Sequence, residues 1–123
     1  WLTNNSYITD GYELGKKILR EHRKLPRAVF AENDSLAIGF LRALKENAVS
    51  VPDEIAIIGC NDVQSAAFMT PPLTSVKLAN DLIGSMSARL LLERMMSGRT
   101  ESVKVVVPNH LMVRGSCSDS QPL

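Results

Sequence analysis

The stretch VFAENDSLAIG, residues 29–39, decides the fold: an apolar run passes through Asn-Asp-Ser into alternating small and apolar positions, with no Gly-rich loop between. The run around it, RAVFA (27–31), follows Pro26 and predicts a buried strand. Asn, Asp and Ser have short side chains that satisfy the unbonded amides of a helix's first turn. A helix is therefore expected from Asp34 or Ser35, carrying Leu36, Ile38, Leu41 and Leu44 to near Asn47. A strand delivered straight into a helix is the building step of a parallel sheet.

The same step recurs outward. Upstream, DGYELGKKILREHRK places Asp10 and Glu13 in capping-box spacing and predicts a helix over 11–23, capped by Asp10, with Tyr12, Leu14, Ile18 and Leu19 on its apolar face. Residues 1–5 are a candidate strand before it. Downstream, EIAIIG (54–59) is a second buried strand, and PPLTSVK begins with two prolines that place the strand 73–77 at or near an edge. The strongest helix spans 80–97, with Asn80 or Asp81 as cap, Leu82, Ile83, Met86, Leu90 and Leu91 at helical spacing, and Gly98 at its exit. SVKVVVP and HLMVRGS are two further β runs, and residues 117–123 form a tail without packing signal. The fold class is α/β: a parallel sheet flanked by helices with right-handed crossovers, in one domain over 1–116.

Composition narrows the function. The chain has 123 residues, 45% hydrophobic and 22% charged, with net charge +1, so charge alone draws it to neither nucleic acid nor an anionic membrane. No apolar run approaches the length of a membrane span, and the first residues lack the pattern of a signal peptide, so a cytoplasmic location is expected. Cys60 and Cys117 lie far apart without CxxC spacing, and His22 and His110 are isolated. Neither a metal nor a cofactor is expected. Met86, Met95 and Met96 read as core or subunit interface.

Ligands of such sheets gather at the carboxyl ends of the strands. That rule collects Asn33-Asp34, Asn61-Asp62 and the loop Leu78 to Asn80 on one rim, with Ser6 to Asp10 a fourth if residues 1–5 are also a strand. Each pair has two readings. Asn33-Asp34 can be a helix cap or a ligand contact, and Asn61-Asp62 a turn or a contact. Amide and carboxylate groups converging on one rim suit adjacent hydroxyls of a polyol, such as a sugar.

PRAVFAENDSLAIGFLRALKE, SVPDEIAIIGCND, PPLTSVK, LIGSMSARLLLERMMSG and LMVRGS, taken in order over residues 8–116, resemble the C-terminal part of the LacI/GalR family of bacterial transcription regulators. The resemblance implies the C-terminal lobe of a periplasmic-binding-protein-like domain, which closes with another lobe on a small effector and helps form a homodimer. Operator DNA would be bound only through an N-terminal helix-turn-helix absent from this chain, by a shift between lobe arrangements. It further implies that Asn33 reaches the ligand while Asp34 caps the helix, and that Asn61, Asp62, Tyr7 and Asn80 are effector-binding candidates. There are departures: the family's frequent Asp falls on Asn61, its aromatic on Cys60, and its post-helix glycine on Ala48, so that Asn47 would take the left-handed turn. A sugar-binding protein of a transporter and an enzyme using Asp34 or Asp62 are the rival readings, although no nucleophile–base constellation supports catalysis.

Overall fold

The computed structural model describes residues 5–21 and 24–117. The candidate strand over 1–5 lies almost wholly outside these residues, as do His22 and the end of the tail, 118–123. Along the chain come α1 (Ile8–Glu21), β1 (Ala28–Phe30), α2 (Asp34–Glu46), β2 (Ala56–Cys60), a short 3-10 turn (Gln64–Phe68), β3 (Thr74–Lys77), α3 (Asn80–Ser97) and β4 (His110–Met112). The sheet order is β1-β2-β3-β4. β1, β2 and β3 run parallel, with Ala28 opposite Ala56 and Ile58 opposite Thr74.

The segment after β4 closes the sheet from the other direction. The backbone N–H of Arg114 donates to Thr74 Oγ1 at 2.8 Å and that of Ser116 to the Pro72 carbonyl at 2.9 Å, so this segment runs antiparallel to β3. Ser116, wholly buried, fills the split where β2 and β3 begin. Its carbonyl accepts from Ile57 N (2.8 Å), its hydroxyl donates to the Ile57 carbonyl (2.6 Å) and accepts from Thr74 N (2.8 Å). One serine thus satisfies backbone groups of two strands that the sheet itself leaves open.

The helices α1 and α2 pack backbone to backbone. A Cβ at Gly39 would collide with the Ile8 carbonyl, so only glycine permits this approach. Ile18, Phe40, Leu41, Leu44, Ile55, Ile57, Ala66 and Leu73 form the buried core. On the surface of the helix pair, the Tyr12 hydroxyl donates to Glu46 Oε2 at 2.5 Å, and the Lys16 ammonium lies 4.4 Å from the centre of the Tyr12 ring.

Several expectations are corrected. The first helix starts at Ile8, not 11, and Asp10 is its third residue. Its carboxylate reaches back to accept from Tyr7 N at 3.2 Å, the second half of a capping box rather than the cap itself. The apolar run in β1 is not buried: among the described residues β1 is the sheet's outer strand, and Phe30 is 63% exposed. SVKVVVP (102–108) forms no strand. Ala48, not Asn47, adopts the left-handed conformation, with φ 56° against −105° at Asn47.

Residues 78–110 form a compact unit of their own. Its helix α3 matches the predicted 80–97, but its N-cap is Ala79, without a side-chain bond from Asn80 or Asp81. Gly98, at φ 67°, closes it by donating its N–H to the Arg94 carbonyl at 3.1 Å. Leu91, Leu92, Met95 and Met96 on this helix are exposed.

Candidate functional site

The turns after β1 and β2 lie side by side, because parallel neighbours about 4.8 Å apart deliver their carboxyl ends to the same edge. After β1, Asn33 is the N-cap of α2: its Oδ1 accepts from Leu36 N at 2.9 Å. Its Nδ2 donates to the Ser6 carbonyl at 3.4 Å, and Ser6 Oγ donates to Glu32 Oε1 at 2.5 Å. The amide therefore keeps one N–H for another acceptor. Glu32 is exposed beside it.

Asp34 is not the cap, which corrects the expectation for this residue. Extended φ and ψ angles place Asn33 just outside the helix, and Asp34 is already inside it. Its side chain is wholly buried, with Oδ1 accepting from Ser75 Oγ at 2.6 Å and Oδ2 from Val63 N at 2.8 Å. A buried carboxyl group needs such partners to offset lost hydration. Gly59 makes room for it, since a Cβ there would strike Asp34 Oδ1. Asp34 thus ties the start of α2 to β3 and to the segment leaving β2.

After β2 comes only the short 3-10 turn Gln64–Phe68 rather than an α-helix, and both residues of the pair turn left-handed, Asn61 at φ 103° and Asp62 at φ 53°. Asn and Asp tolerate this region better than most side chains. Asn61 N donates to the Val76 carbonyl at 2.9 Å while its side chain is exposed. Asp62 N donates to Ser75 Oγ at 3.1 Å, and Arg114 Nη2 donates to Asp62 Oδ1 at 2.6 Å. Asp62 is therefore committed at one oxygen to an ion pair whose side chains are 10% and 18% exposed.

The structure thus brings Asn33 and Asn61 to neighbouring turns and adds Ser6 and Glu32 beside Asn33. Tyr7 follows Ser6 and is 68% exposed. Asn80 opens α3 in the other compact unit and is exposed there. Sequence reasoning placed Ser6 on the rim but missed Glu32, Ser75 and Arg114. The only signals for the last two were a hydroxyl within the apolar run LTSV and an arginine within the apolar run MVRG.

A cavity lies alongside β1, between it and the helices α1 and α2. It measures about 420 Å³ and is lined by Leu14, Ile18, Val29, Phe30 and Leu36, with Glu32 as its one charged residue. Among the described residues no group of three or more His, Cys, Asp or Glu side chains is placed to hold a metal ion. No described helix is long and apolar enough to cross a membrane.

Residues 2–117 match the periplasmic binding protein-like domain family. The chain is 42% identical over 110 residues to the HTH-type transcriptional repressor MelR of Bacillus subtilis, covering 89% of this chain and 31% of that protein. It is 39% identical to the lactose operon repressor of Rhizobium radiobacter, covering 86% of this chain and 92% of that sequence. Against the ribose operon repressor of Escherichia coli the identity is 33%, covering 94% and 34%. These relatives are transcriptional repressors, not enzymes, and the chain spans about a third of the length of MelR and of the ribose repressor. The transcriptional regulator CelR in complex with cellobiose superposes with TM-score 0.81 at 34% identity, covering 89% of this chain and 33% of that one. A LacI family regulator from Enterococcus faecium with bound ribose gives 0.76 at 29% identity, covering 94% and 42%. The βα order, the Asn-Asp turn after β1 and these matches lead to one conclusion: the chain belongs to the periplasmic-binding-protein-like effector domains of the LacI/GalR family of transcriptional regulators.

Proposed function

We propose that this chain is one wall of the effector cleft of a cytoplasmic transcriptional repressor, and that the effector is a small sugar or related polyol. The observation that carries this reading is the pairing of two asparagines, Asn33 and Asn61, on the turns of adjacent parallel strands. Their amides both donate and accept, which suits vicinal hydroxyls. Asn61 offers an N–H where an aspartate could only accept, and Glu32 adds an acceptor on the Asn33 side. The ribose and cellobiose complexes of related regulators support the ligand class.

The effector closes this wall against a second lobe lying outside the chain, and closure changes how a DNA-binding segment, also outside it, meets its operator. The regulator works as a homodimer. Phe68, 80% exposed, stands with Ile8, Ile38, Leu41 and Arg42 around a groove of about 390 Å³ on the α2 side, a surface apolar enough to seek a second copy.

Calorimetric titration of the full-length regulator with ribose, cellobiose and a panel of mono- and disaccharides tests the ligand class. Saturable binding of at least one sugar, with release of operator DNA or its capture, is expected. No binding across the panel would refute the sugar reading.

A further inference from the structure

The turn that carries Asn61 leads into no α-helix that would hold it, and its two left-handed residues would relax to ordinary backbone angles if left free. The structure grips Asp62 at two points, its N–H and its carboxylate. Ser75 Oγ accepts from Asp62 N while donating its own proton to buried Asp34. The second hold is Arg114, which donates Nη2 to Asp62 Oδ1 and Nη1 to the Leu73 carbonyl at 2.7 Å. Arg114 is itself immobilised on β3, since its N–H donates to Thr74 Oγ1 and its carbonyl accepts from the same hydroxyl at 2.9 Å.

We infer that Arg114 is a positioning residue for effector recognition: acting through Asp62, it holds the strained turn that presents the Asn61 amide. The inference rests on the reading of Asn61 as an effector contact. The planar guanidinium spans a carbonyl and a carboxylate at once, which the single point charge of lysine does not reproduce. Losing it frees the Asp62 side chain and leaves the turn held through backbone N–H groups, those of Asn61, Asp62 and Val63. Asn61 then samples other conformations, and its amide leaves the place where a ligand hydroxyl meets it.

The test is a double-mutant cycle in the full-length regulator, with ribose and cellobiose as the probe sugars and amide hydrogen exchange as a ligand-free readout. R114M is expected to weaken sugar binding by about tenfold, and the N61A/R114M double variant to bind no worse than N61A alone, because both act through one contact. R114K falls between wild type and R114M. Without sugar, the Asn61 and Asp62 amides exchange about tenfold faster in R114M, while those of Phe40 to Leu44 keep their rates. Should R114M unfold, R114K and D62N carry the same comparison. Additive losses in the cycle, or unchanged exchange at Asn61 and Asp62, would overturn the inference. If N61A alone changes neither sugar's affinity, the reading of the rim falls and takes the recognition role of Arg114 with it, while the exchange rates still decide whether Arg114 sets the turn.

Discussion

The turns at Asn33-Asp34 and Asn61-Asp62 have the same two residues at the carboxyl ends of neighbouring strands, and the structure uses them differently. Where a helix follows, the asparagine caps it and the aspartate is buried as a cross-link to β3. Where only a short 3-10 turn follows, both residues turn left-handed, and the aspartate takes an arginine from the other end of the chain. The role of an Asx pair is set by the element it leads into. In both turns the asparagine is left with amide hydrogen-bonding capacity, and in both the aspartate fixes the backbone that presents it.

Asp34 should be the more costly aspartate to remove. Asp34→Ala removes a buried bond from Ser75 Oγ and a half-buried one from Val63 N, and losing two bonds to a carboxyl group predicts a loss of about 4 kcal/mol in denaturant unfolding. A loss no larger than that of Asp62→Ala would erase the distinction between the two turns.

Asn33→Ala sharpens the comparison from the other side. It removes the α2 cap and is expected to lower stability by about 1 kcal/mol, seen as a lower Tm, as well as weaken effector binding. Asn61→Ala removes no such cap.

Ala48 is left-handed like Asn61 but has no side chain able to bond locally, so Ala48→Gly should raise stability by about 0.5–1 kcal/mol. An unchanged or lower Tm would show that φ 56° costs alanine nothing at this position.

The smallest expected effect lies at the exposed α1–α2 clasp. The Tyr12 hydroxyl, and after it Arg42, hold the Glu46 carboxyl below the usual carboxylate range. A depressed carboxyl contributes stability above its unfolded pKa and loses it as pH falls through the folded one. Glu46→Gln should therefore slightly flatten the loss of stability below about pH 4.5, measured by unfolding at a series of pH values.

Much of this was legible in the sequence. The βα order, the extent of α3 and the two Asx turns followed from periodicity, caps and Gly98, because these are local signals. The division of labour inside each pair was not. A cap and a buried cross-link require the same residue types, and only the start of α2 at Asp34 separates them. Ser75, Arg114 and Ser116 act on residues tens of positions away, with Ser116 bonded to Ile57, and spacing does not encode such partners. The apolar run of β1 looked buried because periodicity reports composition, not whether a strand has neighbours on both sides.

The most direct test of the sugar-reading rim is calorimetric titration of the full-length regulator and its Asn61→Ala variant with whichever probe sugar the wild type binds. The expected result is an affinity at least about tenfold weaker, with Tm lowered only by the roughly 1 kcal/mol that alanine costs at this left-handed position, since the Asn61 side chain is exposed and caps nothing. Equal affinity in the two proteins would contradict it.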